Sequence, residues 1–491
     1  MSEQKQPINR GLLMFVLLLG SFLSILNQTI LNVALPDLMN QFDVSATTIQ
    51  WLSTGFMLVN GILIPVTAFL MKRFSTRQLF ITSMLLLFIG TLINATAPSF
   101  GFLLTGRLIQ AAGAGIIMPL LMTVVLVVFP AEGRGTAMGM IGLAMIFAPA
   151  IGPTLAGVVI EHLSWRWLFI GMLPLVAIVI GLSLKFLINV SEPSKAKLDV
   201  TSVILSTLGF GLLLYGFSTA GDKGWGDLLV LTFVVAGVIF LYTFCRRQLS
   251  SGDPLLNLKV FKYKTFTMTA IINSLLTMVM YGDMILLPIY LQASRGFSVL
   301  ETGLLLLPGA LINALLSPLS GRLLDKVGIK PLAIFGLIFT IPALWGVTDL
   351  SESTTYTYLM VRTIILRIGL TFLSMPITAG GLNALPKELN AHGSSVTNTV
   401  RQVAGAIGTA LIITVMTTSS TNYAEELMQS GNALSKAQLA LDSAIHGTNV
   451  AYTFTMIAAI LALIVTIIMP STKKASKEKE ATDKKIATEE S

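Results

Sequence analysis

The sequence predicts an all-α integral membrane protein. It is strongly apolar: 54% of its 491 residues are hydrophobic and only 11% are charged, too few to cover the surface of a soluble fold. Apolar runs recur along nearly the whole chain, and many reach the roughly 20 residues that cross the hydrocarbon as a helix. Lipid offers the backbone no hydrogen-bond partners, so these runs are predicted to be membrane-spanning helices.

Fourteen apolar segments are predicted to be spans. The first follows Lys5 and Arg10, as the apolar part of a signal peptide would, but no small-residue cleavage site is evident and many similar runs follow. It is therefore interpreted as the first span. The predicted spans are 11–34, 48–70, 78–97, 101–128, 136–160, 167–190, 199–219, 228–245, 266–292, 302–321, 331–348, 356–384, 394–417 and 449–469.

The second half of the chain resembles the first, which predicts an internal duplication. Four pairs of segments match in the same order, at offsets of 253 to 257 residues. The pairs are AFLMKRFSTR (68–77) with GRLLDKVGIK (321–330), PAE (130–132) with PKE (386–388), APAIGPTL (148–155) with AGAIGTAL (404–411), and IIMP (116–119) with LSMP (373–376).

The duplication predicts five segments in the chain. Two six-helix bundles, 11–190 and 266–469, are separated by linkers and an inserted two-helix hairpin at 191–265. Residues 1–10 are predicted to be a cytoplasmic N-terminus and residues 470–491 a disordered cytoplasmic tail.

The distribution of basic residues predicts the orientation. Most of the 32 Lys and Arg lie on the side of the two chain ends, which places both termini in the cytoplasm. The net charge of +8 then reflects topology and contact with the lipid bilayer, and it gives no indication of nucleic-acid binding. By this topology the polar stretch 417–447 lies outside, where a short amphipathic helix is one interpretation.

No motif of an enzyme or an ATP-driven pump is present. Walker A, HExxH and GxSxG in a suitable context are absent, and Cys245 is the only cysteine, which excludes an intrachain disulfide. The three histidines lie far apart in predicted loops, at His162, His392 and His446. No enzymatic activity, cofactor or metal site is therefore predicted.

Several segments resemble motifs of the major facilitator superfamily, in its fourteen-span drug:proton antiporter branch. NQTILNVALP (27–36) resembles the first-span signature, RLIQAAGAG (107–115) the fourth-span motif, and APAIGPTLAG (148–157) with SWRWLF (164–169) the antiporter motif of the fifth span. GRLLDKVGIK (321–330) resembles the loop motif of both halves. The resemblance covers most of the chain and is strongest to bacterial multidrug and lincomycin-type exporters.

The resemblance implies the major facilitator fold and a function. We expect a proton-coupled secondary transporter in the plasma membrane, which exports small amphipathic drugs or toxic compounds by alternating access. A monomer is expected. The alternatives are an exporter of a specific endogenous metabolite, lipid or bile-type acid, and a membrane sensor that does not transport.

Ionisable residues within spans are costly in lipid and are candidates for function. Asp283 is the only carboxylate placed well inside a span, and a buried carboxyl near an arginine can be tuned to bind and release a proton. It is nominated as the proton carrier; a structural ion pair or a position in water are the alternatives. Arg362, Arg367 and Arg401 are interpreted either as parts of the mechanism or as snorkelling arginines.

Arg107 belongs to a fuller motif. Gln110 follows three residues later and so lies on the same helical face, and the small residues 111–115 allow another helix to approach. The resemblance implies that Arg107 acts in proton coupling, with Gln110 beside it. A structural or snorkelling arginine is the alternative.

Two further motifs carry glycines. In the antiporter motif, Gly152, Pro153 and Gly157 predict a kinked, closely packed helix, which the resemblance assigns to sealing the substrate cavity. In the loop motif, an aspartate near a helix end can bind exposed amides and basic residues, which predicts a role in gating. The residues of this loop are Gly321, Arg322, Asp325, Lys326 and Gly328. In the first-half copy, Ala68 replaces the first glycine, Lys72 replaces the aspartate and Ser75 replaces the second glycine.

Carboxamides in the first span form a polar stripe. Gln28 and Asn32 are four residues apart and Asn27 lies on nearly the same face, so these amides are predicted to line the substrate cavity, with packing between helices as the alternative. The family commonly has an aspartate where this chain has Asn27. Position 27 plus the repeat offset of 256 gives 283, so our hypothesis is that proton binding has moved to Asp283 in the second bundle.

Overall fold

The computed structural model describes residues 10–44, 46–49, 51–190, 199–252, 254–429 and 435–470, and all regular secondary structure in these ranges is helical. In chain order the α-helices are α1 (Arg10–Phe42), α2 (Ala46–Ile49), α3 (Trp51–Arg73), α4 (Thr76–Ala95), α5 (Phe100–Val128), α6 (Ala131–His162), α7 (Arg166–Ile170), α8 (Met172–Phe186), α9 (Val200–Lys223), α10 (Leu228–Ser250), α11 (Lys264–Ile289), α12 (Val299–Val327), α13 (Ile329–Trp345), α14 (Tyr356–Thr371), α15 (Ser374–Asn383), α16 (Asn390–Gln429) and α17 (Lys436–Ile468). The predicted disordered tail lies outside the described residues, apart from Pro470.

The helices have the length and surface of membrane spans. Within the described ranges, eleven are long and apolar enough to cross a membrane, or twelve if Trp51–Leu63 and Val66–Arg73, bent by 53°, count as one span. Large apolar side chains such as Leu315 and Trp345 are exposed, by 78% and 70%, as a lipid-facing surface requires. The all-α membrane architecture is confirmed, whereas the count of fourteen spans stays a prediction.

The helices form two compact units with similar packing. The first contains the described residues up to Gly211, Gly237–Val260 and Leu385–Thr399, and the second contains the rest. In the first unit α5 packs against α3 and α4, and α4 packs against α8; in the second, α14 packs against α12 and α13, and α13 against α17. The same pattern in both units supports the predicted duplication. Helices α9, α10 and α16 contribute residues to both units.

A bidentate ion pair joins the ends of the two hairpin helices. Arg247 Nε lies 2.8 Å from Asp199 Oδ2, and its Nη2 lies 3.0 Å from Oδ1, just before α9 begins. The Arg247 guanidinium holds the pKa of Asp199 well below its usual range. The pair fixes α9 against α10 outside the apolar part of the hairpin.

The predicted outer loop 417–447 is largely helical. Helix α16 continues to Gln429 and α17 begins at Lys436, so both helices extend beyond the predicted spans 394–417 and 449–469. The hydroxyls of Thr417 and Thr421 donate to carbonyls four residues earlier, which occupies polar groups that had suggested a loop. The two extensions also pack together, because the rings of Tyr423 and His446 stack with centroids 4.1 Å apart.

Candidate functional site

Asp283 lies on α11 in the second unit and is paired with two arginines of α14. Its side chain is fully buried; Arg362 Nη1 donates to Oδ1 at 2.6 Å and Arg367 Nη2 donates to Oδ2 at 3.2 Å. Asp283 is the only buried carboxylate among the described side chains. Its burial agrees with the predicted position inside a span, and its contacts with Arg362 and Arg367 form the ion pair that was the alternative to a proton carrier.

The two arginines are held differently. Arg362 is 3% exposed, also donates through Nε to the carbonyl of Ala343 at 3.1 Å, and places its guanidinium 5.1 Å from the centre of the Tyr452 ring. Arg367 is 18% exposed, and its stem passes Gly309, where an added Cβ would lie 3.0 Å from Arg367 Cγ. Arg362 is therefore the fixed partner, and Arg367 is the more accessible one.

Tyr452 on α17 is a member of this site that the sequence analysis missed. Its hydroxyl lies 3.5 Å from Asp283 Oδ1, at the long limit of a hydrogen bond. Helix α17 approaches closely because α11 has Gly282 at the contact, where a Cβ would lie 2.6 Å from Thr455 Cγ2. The site thus combines one carboxylate, two guanidinium groups and one phenol, with the carboxylate and the phenol fully buried.

Arg107 on α5 is the corresponding residue of the first unit, and it binds amides instead of a carboxylate. Its Nη1 donates to Asn27 Oδ1 at 2.9 Å, to the Asn27 carbonyl at 3.2 Å and to Gln110 Oε1 at 3.0 Å. Gln110 Nε2 in turn donates to Thr91 Oγ1 at 2.8 Å. Asn27, Arg107 and Gln110 are all fully buried. The structure therefore places Arg107 and Gln110 together with Asn27, in a different unit from Asp283.

Part of the Arg107 group remains without hydrogen-bond partners. The Arg107 guanidinium stacks over the ring of Phe56, 4.5 Å from its centre, a contact that the sequence analysis also missed. No described residue accepts from Arg107 Nη2 or from Asn27 Nδ2. A snorkelling arginine is excluded, because the side chain has no exposed surface.

The other first-span amides differ from Asn27 in their surroundings. Gln28 is half-buried, and the side chain of Asn32 lies outside the described residues. Asn27 therefore faces the interior of its own unit and is more deeply buried than Gln28. A cavity-lining role for Gln28 and Asn32 stays a prediction.

The two arginine sites occupy equivalent places in the duplication. Asn27 and Arg107 are 80 residues apart, and Asp283 and Arg362 are 79 residues apart. In both pairs Nη1 of the arginine donates to the Oδ1 atom of a residue on the first long helix of its unit. The offset of 256 that relates Asn27 to Asp283 is therefore supported by the structure.

The antiporter motif lies on α6, at its contact with α1. A Cβ at Gly152 would lie 2.3 Å from Thr29 Oγ1, so a glycine is needed where these helices touch. A Cβ at Gly157 would meet nothing within 4 Å, so close packing does not explain this glycine. The side chain of Pro153 lies outside the described residues, and the kink stays a prediction.

The loop motif forms the junction between α12 and α13. Gly328 ends α12 with φ +82°, a conformation that favours glycine, and its amide donates to the carbonyl of Leu324. Arg322 and Lys326 are exposed, whereas Gly321 is buried and Asp325 is half-buried. The glycine is explained by the turn; the gating role of the charges stays a prediction.

Arg401 lies in α16 of the second unit and is half-buried. Among the described atoms, no partner accepts from its buried Nη1. The α11 ring of Tyr281 packs nearby, since a Cβ at Gly405, one turn beyond Arg401, would lie 3.3 Å from it. The structure does not join Arg401 to Asp283 by a hydrogen bond. No group of three or more His, Cys, Asp or Glu able to hold a metal occurs in the part of the chain that the structure describes.

Comparisons with known proteins agree with this architecture. The sequence profile of the Major Facilitator Superfamily matches residues 17–409. The chain is 41% identical to the lincomycin resistance protein LmrB of Bacillus subtilis (strain 168), covering 94% of this chain and 96% of that protein. It is 28% identical to the multidrug export protein EmrB of Escherichia coli (strain K12), covering 91% and 88%.

A solved structure shows the same fold. The human organic anion transporter MFSD10 (TETRAN) superimposes with a TM-score of 0.67 at 15% identity, over 94% of this chain and all of that one. The profile match extends over most of the chain, and the predicted fold and family are confirmed. The chain belongs to the major facilitator superfamily and is a membrane transporter rather than an enzyme.

Proposed function

We propose that this transporter exports small amphipathic drugs, lincosamides among them, across the plasma membrane in exchange for protons. The names of LmrB and EmrB support export of drugs, and the shared fold supports alternating access. Cytoplasmic termini, a monomeric state and the division of the chain into 11–190, 191–265 and 266–469 belong to this proposal.

One observation carries the proton coupling, namely the burial of Asp283 between Arg362 and Arg367. With Asp283 ionised, the three groups have a net charge of +1, and a bound proton changes that charge to +2. A cationic drug near this unit is therefore bound less favourably when the proton is present. Proton and drug oppose one another's binding, as exchange requires.

The remaining motifs receive supporting roles in this proposal. Arg107 with Gln110 acts in proton coupling beside Asn27, while Gln28 and Asn32 contact substrate. Gly152, Pro153 and Gly157 form the part of α6 that seals the substrate cavity, and the loop Gly321–Gly328 controls one of the two alternating states. Each role predicts a loss of transport without loss of the folded protein.

Export of an endogenous anionic amphiphile is a second candidate. Among the described side chains two arginines, Arg107 and Arg362, are buried, whereas Asp283 is the one buried carboxylate. This excess of positive charge favours a ligand that carries a carboxylate. A sensor that does not transport would also bind ligands, but it would move none of them.

Proteoliposomes with an imposed pH gradient test both candidates. We expect gradient-driven transport of a lincosamide and of a cationic dye, whereas transport of an anionic amphiphile alone would favour the second candidate. Transport that does not respond to the gradient would remove the proton exchange. Transport of none of the three would support the sensor.

The same vesicles test Asp283 as the proton site. We expect Asp283→Asn to abolish gradient-driven transport, because an amide cannot carry the proton. Asp349→Asn is the matched control, since it makes the same chemical change at an exposed turn of the same unit. Unchanged exchange in Asp283→Asn, with the protein present in the vesicles, would exclude Asp283 as the carrier.

A further inference from the structure

A cavity of about 430 Å³ lies between the turn that joins α13 to α14 and the parts of α16 and α17 that extend beyond the predicted spans. Its lining residues are Leu350–Ser353 of the turn, Tyr423 of α16, and Asp442, Ile445, His446 and Asn449 of α17. All of them belong to the second unit. A cavity of this volume has room for a small organic ligand.

Two carboxylates at this cavity have no basic partner. Gln438 Nε2 donates to Glu352 Oε1 at 2.5 Å and to Asp442 Oδ1 at 3.1 Å, so one neutral amide holds both acidic groups close together. No described lysine or arginine forms an ion pair with either group, and none is among the described residues that line the cavity. Like charges held this close repel each other, and both would attract a cation placed beside them.

The other surfaces of the cavity suit an organic cation better than a metal ion. The rings of Tyr423 and His446 line it and stack on each other with centroids 4.1 Å apart. Leu350 and Ile445 add buried apolar surface. Aromatic and apolar surfaces favour an ammonium group that carries hydrocarbon substituents. Calcium requires more oxygen ligands than two carboxylates supply, and no metal-binding group of three or more His, Cys, Asp or Glu occurs among the described residues.

The turn that forms one wall is fixed by hydrogen bonds, so the cavity is preformed. Asn449 Nδ2 donates to the Leu350 carbonyl at 2.9 Å, and the Leu350 amide donates to Asn449 Oδ1 at 3.0 Å. Tyr290, which follows α11, donates through its hydroxyl to the Ser351 carbonyl at 2.6 Å. A ligand that enters a preformed site loses less free energy to the ordering of the protein.

We propose that this cavity binds a small organic cation, an ammonium compound with alkyl or aromatic substituents. The ammonium group lies beside Glu352 and Asp442, and the substituents contact the aromatic rings and the apolar surface. Glu352 is exposed and Asp442 is half-buried, so water and salt weaken the attraction, and the affinity falls as the salt concentration rises. The assignment rests on the cavity, and it does not depend on Asp283 being the proton carrier.

Titration calorimetry of the purified full-length protein in an uncharged detergent tests the site, with benzyltrimethylammonium chloride as the probe. We expect saturable binding that weakens as sodium chloride is added. Benzyl alcohol carries the same ring without the charge and should not bind. If calcium chloride displaces the probe more strongly than sodium chloride does at equal ionic strength, the carboxylates form a metal site and the proposal fails.

Two variants decide whether the probe lies in this cavity. Glu352→Gln combined with Asp442→Asn removes both charges and should weaken binding about tenfold. Ser353→Trp places a large ring at the exposed rim and should abolish binding without a change of charge. The matched control is Glu425→Gln combined with Glu426→Gln, which removes two charges from an exposed part of α16 and should leave the affinity unchanged.

Three results would overturn the proposal. The first is an absence of saturable binding to the wild type. The second is binding that persists unchanged both in Ser353→Trp and in the variant without Glu352 and Asp442. The third is a loss of binding in Asp283→Asn alone, which would place the probe at that carboxylate instead. If the variant without both carboxylates does not fold, Ser353→Trp still decides, because Ser353 is exposed.

Discussion

Arg362 and Arg367 contact one carboxylate from the same helix, yet their surroundings differ. Arg362 has a backbone acceptor and an aromatic face in addition to Asp283, whereas the more exposed Arg367 has the longer contact. When one member of a buried ion pair is removed, the other charge is left uncompensated, which strongly destabilises the folded protein. The two arginines should therefore contribute unequally to stability.

We expect Arg362→Gln to lower the free energy of unfolding by about 3–5 kcal/mol, because Asp283 keeps only its weaker partner. Arg367→Gln should lower it by about 1 kcal/mol, since Arg362 still neutralises the carboxylate and the lost contact is the longer and less buried of the two. Unfolding of both purified variants in one detergent measures the difference. Equal losses would contradict the assignment of fixed and accessible partners.

Charge made most of this site predictable from the sequence. Asp283, Arg107, Arg362 and Arg367 stand out because ionisable residues are rare within apolar spans. Tyr452 and Phe56 do not stand out, since aromatic residues are common in membrane helices and carry no charge. Their contribution depends on which face of α17 or α3 meets an arginine, and hydrophobic periodicity is weak in helices that are apolar all round.

Among the elements, α6 offers an internal comparison within one motif. Gly152 lies where α6 touches α1, and Gly157 lies in open space. We expect Gly152→Ala to lower the free energy of unfolding by about 1–3 kcal/mol through the clash with Thr29, and Gly157→Ala to leave it nearly unchanged. Thermal unfolding and gradient-driven transport should be measured for both. If Gly157→Ala loses transport while it keeps its stability, this glycine has a role beyond packing.

The hairpin of α9 and α10 provides a prediction about pH. The pKa of Asp199 is lowered in the folded protein, so its pair with Arg247 stabilises the fold at neutral pH. This contribution declines as the pH falls below about 4, the pKa of an unfolded aspartate, and disappears below the folded pKa. The Tm difference between the wild type and Asp199→Asn should therefore be largest near neutral pH and shrink in acid. A difference that grows in acid would contradict the pairing.

Apolar runs located the helices but not all of their ends. A hydropathy pattern detects residues that contact lipid, so it misses a helix that continues through polar residues. Helix α16 continues in this way for twelve residues past its predicted end, and polar side chains there donate hydrogen bonds to the helix backbone. The parts of α16 and α17 that extend beyond the apolar region are stabilised by contacts between the two helices, such as the one between Tyr423 and His446. Contacts of this kind join residues distant in sequence and leave no local signal.

At the scale of the whole molecule, the orientation can be measured with single cysteines. In a Cys245→Ser background, a membrane-impermeant maleimide should label Ser353→Cys in intact cells, because the turn between α13 and α14 is expected outside. Ser476→Cys, in the tail, should be labelled only after permeabilisation, since the basic loops predict cytoplasmic termini. The reverse pattern would invert the topology and with it the direction of transport.

The duplication was visible in the sequence because short motifs recur at a nearly constant offset. The pairing of Asn27 with Arg107 was not visible, since it requires α1 and α5 to meet at particular faces. Nor could the sequence divide the chain into its compact units, because α16 contributes residues to both. Local motifs therefore predicted the family and the repeat, while long-range packing decided how the site is assembled.

The spacing within each arginine pair also bears on biosynthesis. About 80 residues separate Asn27 or Asp283 from its arginine, so the ribosome delivers each of these helices to the membrane before its partner exists. A charged aspartate in the middle of an inserting helix costs about 2.5–3.5 kcal/mol. Helix α1 emerges before every other helix of its unit, and its amide avoids that cost, whereas α11 emerges when the helices of the first unit have already been made. The uncharged residue in the earlier copy thus eases the insertion step at which the growing chain has the fewest neighbouring helices.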